Sequence, residues 1–261
     1  MIDVQKEDSK TILSLSAKLR LLLSGVNGML WPKVCLNCRR SISENQQWLC
    51  DDCWAELMRS SSADYCPRCG KDVSKYAVYE GRCPLCQDKE LHFHRTARVG
   101  AYKDALGNLL KNFKFKDRTE LLNLLTFLAQ SSLRGSSFYN KIDYIVPVPL
   151  HWKRRLTRGF NQAYIITRKL NHPYAVKSTD LVRIKNTRPQ FTLTNSKERQ
   201  ENVRGAFVLR KDHPFEKRNV CLVDDIKTTD ATLNECAKVL KDAGAHKVFV
   251  LVIAVAGQKD Q

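Results

Sequence analysis

The sequence predicts an α/β fold, a mostly parallel sheet flanked by helices, preceded by a small four-cysteine zinc-ribbon domain. Three observations carry that expectation. Eight of the ten cysteines lie between residues 35 and 86 and form four C-x2-C pairs. Beyond residue 93, short apolar strands alternate with stretches of helical period, the pattern of a parallel sheet covered on both faces. A chain of 261 residues has room for one such domain and a small appendage. Gly (11) and Pro (8) are too sparse for a collagen-like or low-complexity chain, and no run of ~18 apolar residues offers a membrane span.

Residues 1–30 read as an N-terminal helix. Ile12, Leu13, Leu15, Leu19, Leu21, Leu22, Leu23 and Val26 make an apolar stripe that Lys18 and Arg20 interrupt. No small-residue cleavage site follows, so a signal peptide is not expected. The stripe suits packing on the chain's own body better than docking on a membrane surface.

Residues 31–92 hold the pairs Cys35–Cys38, Cys50–Cys53, Cys66–Cys69 and Cys83–Cys86. Two thiolates on one tight knuckle bind one face of a tetrahedral zinc ion, whereas the same spacing suits structural disulfides poorly. Gaps of 11 and 13 residues inside successive quartets each hold one hairpin, which favours sequential sites over a cross-braced arrangement. Four cysteines leave zinc no open position, so both ions are expected to be structural. They would hold together a segment too small to bury a sufficient core. Reduced thiolates place the protein in the cytoplasm. Cys221 and Cys236 read as small core residues.

Residues 93–261 carry the α/β pattern. Leu106, Leu109, Leu110 and Phe113 repeat at helical spacing, as do Leu121, Leu122, Leu124, Leu125 and Leu128. Residues 144–149 are a buried strand closed by prolines, 163–170 a helix, and 206–209 a strand. Residues 219–223 are an apolar strand that runs into Asp224 and Asp225. A helix over 231–243, closed by Gly244, and a buried strand over 247–255 complete the chain.

The segment from Val220 to Leu233 is the most informative. A strand end projects Asp224 and Asp225, a pair able to accept hydrogen bonds from vicinal hydroxyls. The next turn offers the hydroxyls of Thr228, Thr229 and Thr232, with free amides at a helix N-terminus that favours an anion. Acids for a sugar beside donors for a phosphate describe a ribose phosphate. The plainer alternative is a strand end with N-capping threonines and solvated acids.

This segment resembles the phosphoribosyl diphosphate (PRPP) signature of type I phosphoribosyltransferases. The rest of the chain is similar to the ComF family, of the ComFC/GntX type, over nearly its whole length. The matching pieces are the paired ribbons after Leu30-Trp31-Pro32; Tyr102, Leu110, Lys114 and Phe115; Pro147-Val148-Pro149-Leu150; and Arg154-Arg155-Leu156. Arg158-Gly159-Phe160-Asn161-Gln162-Ala163 follows, then Arg183, Thr187, Gln190, Arg199 and Asn202-Val203-Arg204-Gly205-Ala206-Phe207. The resemblance implies a type I phosphoribosyltransferase-like domain over 93–261 and a link to DNA uptake in natural competence or to DNA utilisation. It implies catalytic Asp224 and Asp225 on the ribose hydroxyls. Lys227, Thr228, Thr229, Asp230, Ala231 and Thr232 would sit around the 5′-phosphate, and Arg155 and Arg158 near the diphosphate. Residues 185–204 would form a hood, and Mg2+ would bridge diphosphate and ribose.

Two positions depart from the family pattern. Asp230 stands in place of Gly, and a carboxylate ~5 Å from a phosphate repels it by several kcal/mol at an effective dielectric of ~20. Lys227 offsets part of that, or Asp230 turns outward as a helix-start acid. On repulsion alone, Asp230→Gly should tighten PRPP binding. Thr228 stands where purine-type relatives carry an acid able to act as a general base, so any acceptor would need no base from the loop.

Charge adds a further expectation. The chain has 44 Lys+Arg against 27 Asp+Glu, net +17, and residues 141–220 alone hold 18 basic residues against 6 acidic ones. Phe160, Tyr164 and Phe191 are interleaved with those cations, as in faces that follow single-stranded nucleic acid. The plainer alternative assigns the cations to the diphosphate and to solvation. Three functions follow: a phosphoribosyltransferase (a pentosyltransferase) that Asp230 would impair; a non-enzymatic single-stranded-DNA adaptor or PRPP sensor with a degenerate site; or a zinc-ribbon module that contacts a helicase-like competence protein.

Overall fold

The computed structural model describes residues 33–115, 119–188 and 196–257, without the side chains of residues 114, 115, 119, 155, 157, 158 and 196. The helix expected over 1–30 lies outside the described residues, as do Trp31, Pro32, Gln190 and Phe191. Two compact units divide the chain, residues 1–54 and 55–261.

In the first unit the knuckle Cys35–Cys38 turns back through Arg39, whose φ is +69°. Its amides close on themselves: Arg39 N donates to Cys35 O at 3.0 Å, and Cys35 N to Arg40 O at 2.8 Å. Helix α1 (Asp51–Ser61) starts straight after Cys50 and carries the chain from the first unit into the second. Two acids open it and Arg59 lies in its last turn, as the helix dipole favours.

The second unit repeats the knuckle at Cys66–Cys69 and builds the sheet. Strands β1 (Arg95–Ala101), β2 (Tyr144–Pro147), β3 (Val176–Lys177), β6 (Asn219–Lys227) and β7 (Lys247–Val255) pair in the order β1-β7-β6-β2-β3, every pair parallel. Parallel pairing needs crossovers, and helices supply them. These are α2 (Asp104–Phe115), α3 (Thr119–Arg134), α4 (Trp152–Arg158), α5 (Gln162–Lys169) and, between β6 and β7, α7 (Ala231–Asp242). The central strands are buried on both faces, which is why β7 reads as one apolar run: eight of its nine residues are buried.

The strand expected over 206–209 forms as β5 (Phe207–Leu209), but it leaves the main sheet. It pairs antiparallel with β4 (Leu181–Arg183), and α6 (Ser196–Val203) precedes it. Strand β6 runs farther than its apolar stretch, through both aspartates to Lys227. Cys221 and Cys236 are fully buried, and burial pushes both thiols up, as core cysteines require.

The second ribbon shares its core with the sheet. Cys66, Cys69, Cys83 and Cys86 pack in one cluster with Phe93, Ala231 and Val255. Gly70 makes the approach possible: its φ is +75°, and a Cβ there would lie 2.9 Å from Thr96 Cγ2 of β1.

Candidate phosphate-loop site and metal centres

The cysteines gather as two sequential quartets, Cys35, Cys38, Cys50, Cys53 and Cys66, Cys69, Cys83, Cys86, with all sulfurs of a quartet within 4.8 Å of one another. Cys38–Cys50 lies at 3.7 Å in the first quartet. In the second, Cys66–Cys86, Cys69–Cys83 and Cys83–Cys86 are each at 3.7 Å. A zinc tetrahedron with Zn–S of ~2.3 Å has edges of ~3.8 Å, so both quartets fit the ion. Without metal, the crowded sulfurs cannot all ionise. The hydrogen bond with Cys69 brings Cys66 down to about 4, and the same bond, with burial, pushes Cys69 up. In the first quartet Arg40 hydrogen-bonds Cys38 and lowers it to about 6, while Asn37 Nδ2 reaches Cys53 Sγ at 3.2 Å.

The end of β6 places the two aspartates. Asp225 N donates to Asp224 Oδ1 at 2.9 Å, and Ile226 N donates to Asp225 Oδ1 at 2.7 Å. The turn after β2 lies alongside, because Val148 N donates to Val223 O at 2.8 Å. Residues 228–230 then bend the chain into α7, whose first bond runs from Asn234 N to Asp230 O at 2.7 Å. Residues 224–232 therefore cross the carboxyl end of the sheet, where ligands of such folds bind; Asp224, Asp225, Thr228, Thr229 and Thr232 border it, whereas the side chains of Lys227, Asp230 and Ala231 are buried beneath.

Asp230 turns inward. It is 8% exposed and caps no amide of α7 with its side chain. Its Oδ1 lies 2.7 Å from Lys227 Nζ and its Oδ2 3.2 Å from Lys89 Nζ. Burial pushes this carboxyl up, but the Lys227 and Lys89 ammoniums outweigh it and hold it below the usual carboxylate range. Lys227 is fully buried and also donates to Cys69 O at 2.7 Å.

The Arg-Gly-Phe-Asn-Gln string also has a local cause. Gly159, at φ +78°, ends α4, and Asn161 caps α5 while its Nδ2 donates to Val148 O at 3.0 Å. That bond fastens the turn after β2. Arg155 and Arg158 lie on α4, and their side chains are outside the described residues.

Tyr102 lies at the same end of the sheet, because Tyr102 N donates to Val255 O at 2.8 Å and Val255 pairs with Lys227 of β6, and Arg183 faces the turn after β2. Burial pushes the Tyr102 phenol up, and the charge of Asp225 adds to it. Arg183 is 8% exposed, burial pulls its guanidinium below its ordinary value, and it lies 5.2 Å over the Phe207 ring and donates to Thr187 Oγ1. Arg154 donates to Thr187 O at 2.6 Å. Arg183 also lines a cleft of ≈370 Å³ with Pro147, Pro149, Phe160, Asn161 and Tyr164. Family resemblance marks Tyr102, Arg183 and Thr187 in the sequence; only the fold brings Tyr102 to the carboxyl end of the sheet and Arg183 to the turn after β2.

Fold and metal centres together define a double-zinc-ribbon protein with a parallel α/β body. The family model for the double zinc ribbon domain matches residues 26–88. Competence protein F of Haemophilus influenzae is 31% identical over 85% of this chain and 96% of its own. The DNA utilization protein YhgH of Salmonella typhimurium is 31% identical over 84% and 95%, and the competence protein ComFC of Bacillus subtilis 28% over 81% and 90%. The chain belongs to the ComF family, that of competence protein F. A purine phosphoribosyltransferase from Pyrococcus horikoshii Ot3 overlaps 54% of this chain and 77% of its own, and a glutamine PRPP amidotransferase from B. subtilis 55% and 30%. Those overlaps have identities of 14% and 15% and TM-scores of 0.31 and 0.35.

Proposed function

We propose that the rim from Asp224 to Thr232 binds PRPP with Mg2+, in the service of DNA uptake or DNA utilisation. The observation that carries this reading is the juxtaposition at the end of β6: two carboxylates, then a hydroxyl-bearing turn that opens α7. The relatives' names, competence and DNA utilisation, support the process. Asp224 and Asp225 accept from the ribose hydroxyls, Thr228, Thr229 and Thr232 donate to the 5′-phosphate, and the turn after β2 faces the diphosphate. Carboxylate oxygens are the hard donors that suit Mg2+, which when bound neutralises the diphosphate. In a transfer reaction, a nucleophile bonds to ribose C1 as diphosphate departs with the electron pair. A metal-loaded thiolate protein of this kind suits the reducing cytoplasm.

Calorimetric titration of PRPP with Mg2+ tests the reading. Wild type is expected to bind, and Asp224→Ala to lose at least ~10-fold, the size of a charged hydrogen bond. No heat with wild type overturns it. Release of diphosphate in the presence of candidate acceptors tests transfer itself.

A single-stranded-DNA adaptor is the second reading, favoured by one feature of α4. Trp152 is 59% exposed and Leu156 75%, and Lys153 Nζ sits 5.5 Å over the Trp152 ring. An aromatic beside cations suits stacked bases and phosphates. Trp152→Ala should weaken oligonucleotide binding at low salt by roughly 1–3 kcal/mol; equal binding, or none at low salt in wild type, removes this reading. A pull-down with and without residues 31–92 tests a helicase-like partner.

A further inference from the structure

We propose that Lys227 is a positioning residue that ties the second zinc ribbon to the phosphate loop, so that metal at Cys66, Cys69, Cys83 and Cys86 and ligand at the loop stabilise each other. The inference rests on the reading of residues 228–232 as a phosphate cup.

The tie is a chain of direct contacts. Lys227 is the last residue of β6, and its backbone is fixed to the end of β7 by Ala256 N, which donates to Lys227 O at 2.9 Å. Its side chain is 0% exposed, so the ammonium is shut off from bulk solvent and depends on buried acceptors. Two are at hand: the Cys69 carbonyl, which accepts a hydrogen bond at 2.7 Å, and the Asp230 carboxylate, whose Oδ1 pairs with the ammonium by charge at 2.7 Å. Cys69 also supplies a thiolate to the second quartet, so a metal that fixes its sulfur fixes the knuckle that aims its carbonyl. Asp230 is the far end of the loop, three residues on, and the Lys227–Asp230 pair staples Thr228 and Thr229 between its ends. Lys89, three residues past Cys86, holds the other oxygen of Asp230.

Energetics make the tie directional in both senses. A knuckle that drifts without metal takes away one of the two acceptors of a buried ammonium, and the remaining partner is a loop residue. Lys227 must then shift toward the loop or out of the core, and either distorts the cup. Coupling of two sites is reciprocal, so a ligand that fixes the loop must also hold the second ribbon's metal more tightly. The first quartet belongs to the other compact unit of the chain.

Zinc release from the full chain tests this without any enzymatic assay. Thiols are titrated with an organomercurial and zinc is read with a chromogenic chelator; Cys35→Ser identifies the phase that belongs to the second quartet. Lys227→Met is expected to speed that phase roughly tenfold, the worth of one charged hydrogen bond, and to leave the other phase unchanged. An unchanged second-quartet phase overturns the proposal. Should Lys227→Met fail to fold by circular dichroism, Lys89→Ala, at a half-exposed side chain, replaces it; a few-fold acceleration of the same phase is expected, and none overturns the tie. Saturating PRPP with Mg2+ should slow the second-quartet phase in wild type. PRPP that binds by calorimetry yet leaves this phase unchanged overturns the coupling. PRPP that does not bind removes the phosphate-cup reading instead, and the Lys227→Met comparison still decides whether the loop lysine supports the ribbon.

Discussion

Asp230 stands where the phosphoribosyltransferase resemblance expects a glycine, and its surroundings show how the fold holds a carboxylate there. Two lysines, Lys227 at 2.7 Å and Lys89 at 3.2 Å, neutralise the carboxylate, so a phosphate at the proposed cup would meet little repulsion from it. The tightening that repulsion alone predicts for Asp230→Gly should therefore shrink, and stability becomes the larger effect. Removing the acid leaves a buried ammonium with one acceptor, so Asp230→Gly should cost about 3 kcal/mol in urea unfolding and Asp230→Asn about half that. The pH dependence has a definite sign. Because the folded carboxyl is held below its ordinary value, its stabilisation is present above the unfolded pKa of about 4 and fades as pH falls through the folded one. The gap in unfolding midpoint between wild type and Asp230→Asn should be constant above about pH 5 and narrow on acidification. A gap that widens in acid would contradict the pairing.

Elements show where sequence patterns suffice and where they fail. Strands β6 and β7 are legible because burial on both faces demands unbroken apolar runs. Strand β1 escapes the same reading because Arg95, Arg98 and Gly100 interrupt it. Arg98 is nonetheless 3% exposed, since the second ribbon provides an acceptor in Gly70 O at 2.9 Å, an ion pair with Asp72 and the Tyr65 ring at 4.6 Å. A charge becomes a core residue when its partners arrive from elsewhere in the chain. Gly70 is the hinge of that contact. Gly70→Ala imposes both a positive φ and a 2.9 Å clash with Thr96, and should lower stability by about 2 kcal/mol in thermal unfolding. Adding Thr96→Ala should restore only the part due to the clash. Full recovery would mean that the backbone angle costs nothing.

On the scale of the whole molecule, the second ribbon is a component of the α/β core. Its four cysteines, Phe93 and Val255 belong to one buried cluster, and its loops donate to or accept from β1, β6 and α7. Metal at that quartet should then stabilise the sheet as well as the ribbon. Cys66→Ser should lower zinc content from two ions to one by native mass spectrometry. It should also cost the sheet's unfolding transition on the order of 3 kcal/mol or more, a fraction of what zinc supplies to isolated fingers. A sheet transition indifferent to that loss would show that the shared cluster holds without metal.

The sequence by itself determined the two cysteine quartets, the parallel sheet and the acid-then-hydroxyl rim at the end of β6. Each is written in local spacing: two residues between thiols, a run of apolar side chains, a strand that ends in Asp224-Asp225. Only the tertiary structure decided that Lys227 and Arg98 are buried, that Asp230 faces lysines, and that Tyr102 stands at the carboxyl end of the sheet and Arg183 on the cleft beside Pro147. Burying a charge is tolerable only where a partner meets it, and the partners stand far away along the chain: Cys69 is 158 residues from Lys227, and Lys89 is 141 from Asp230.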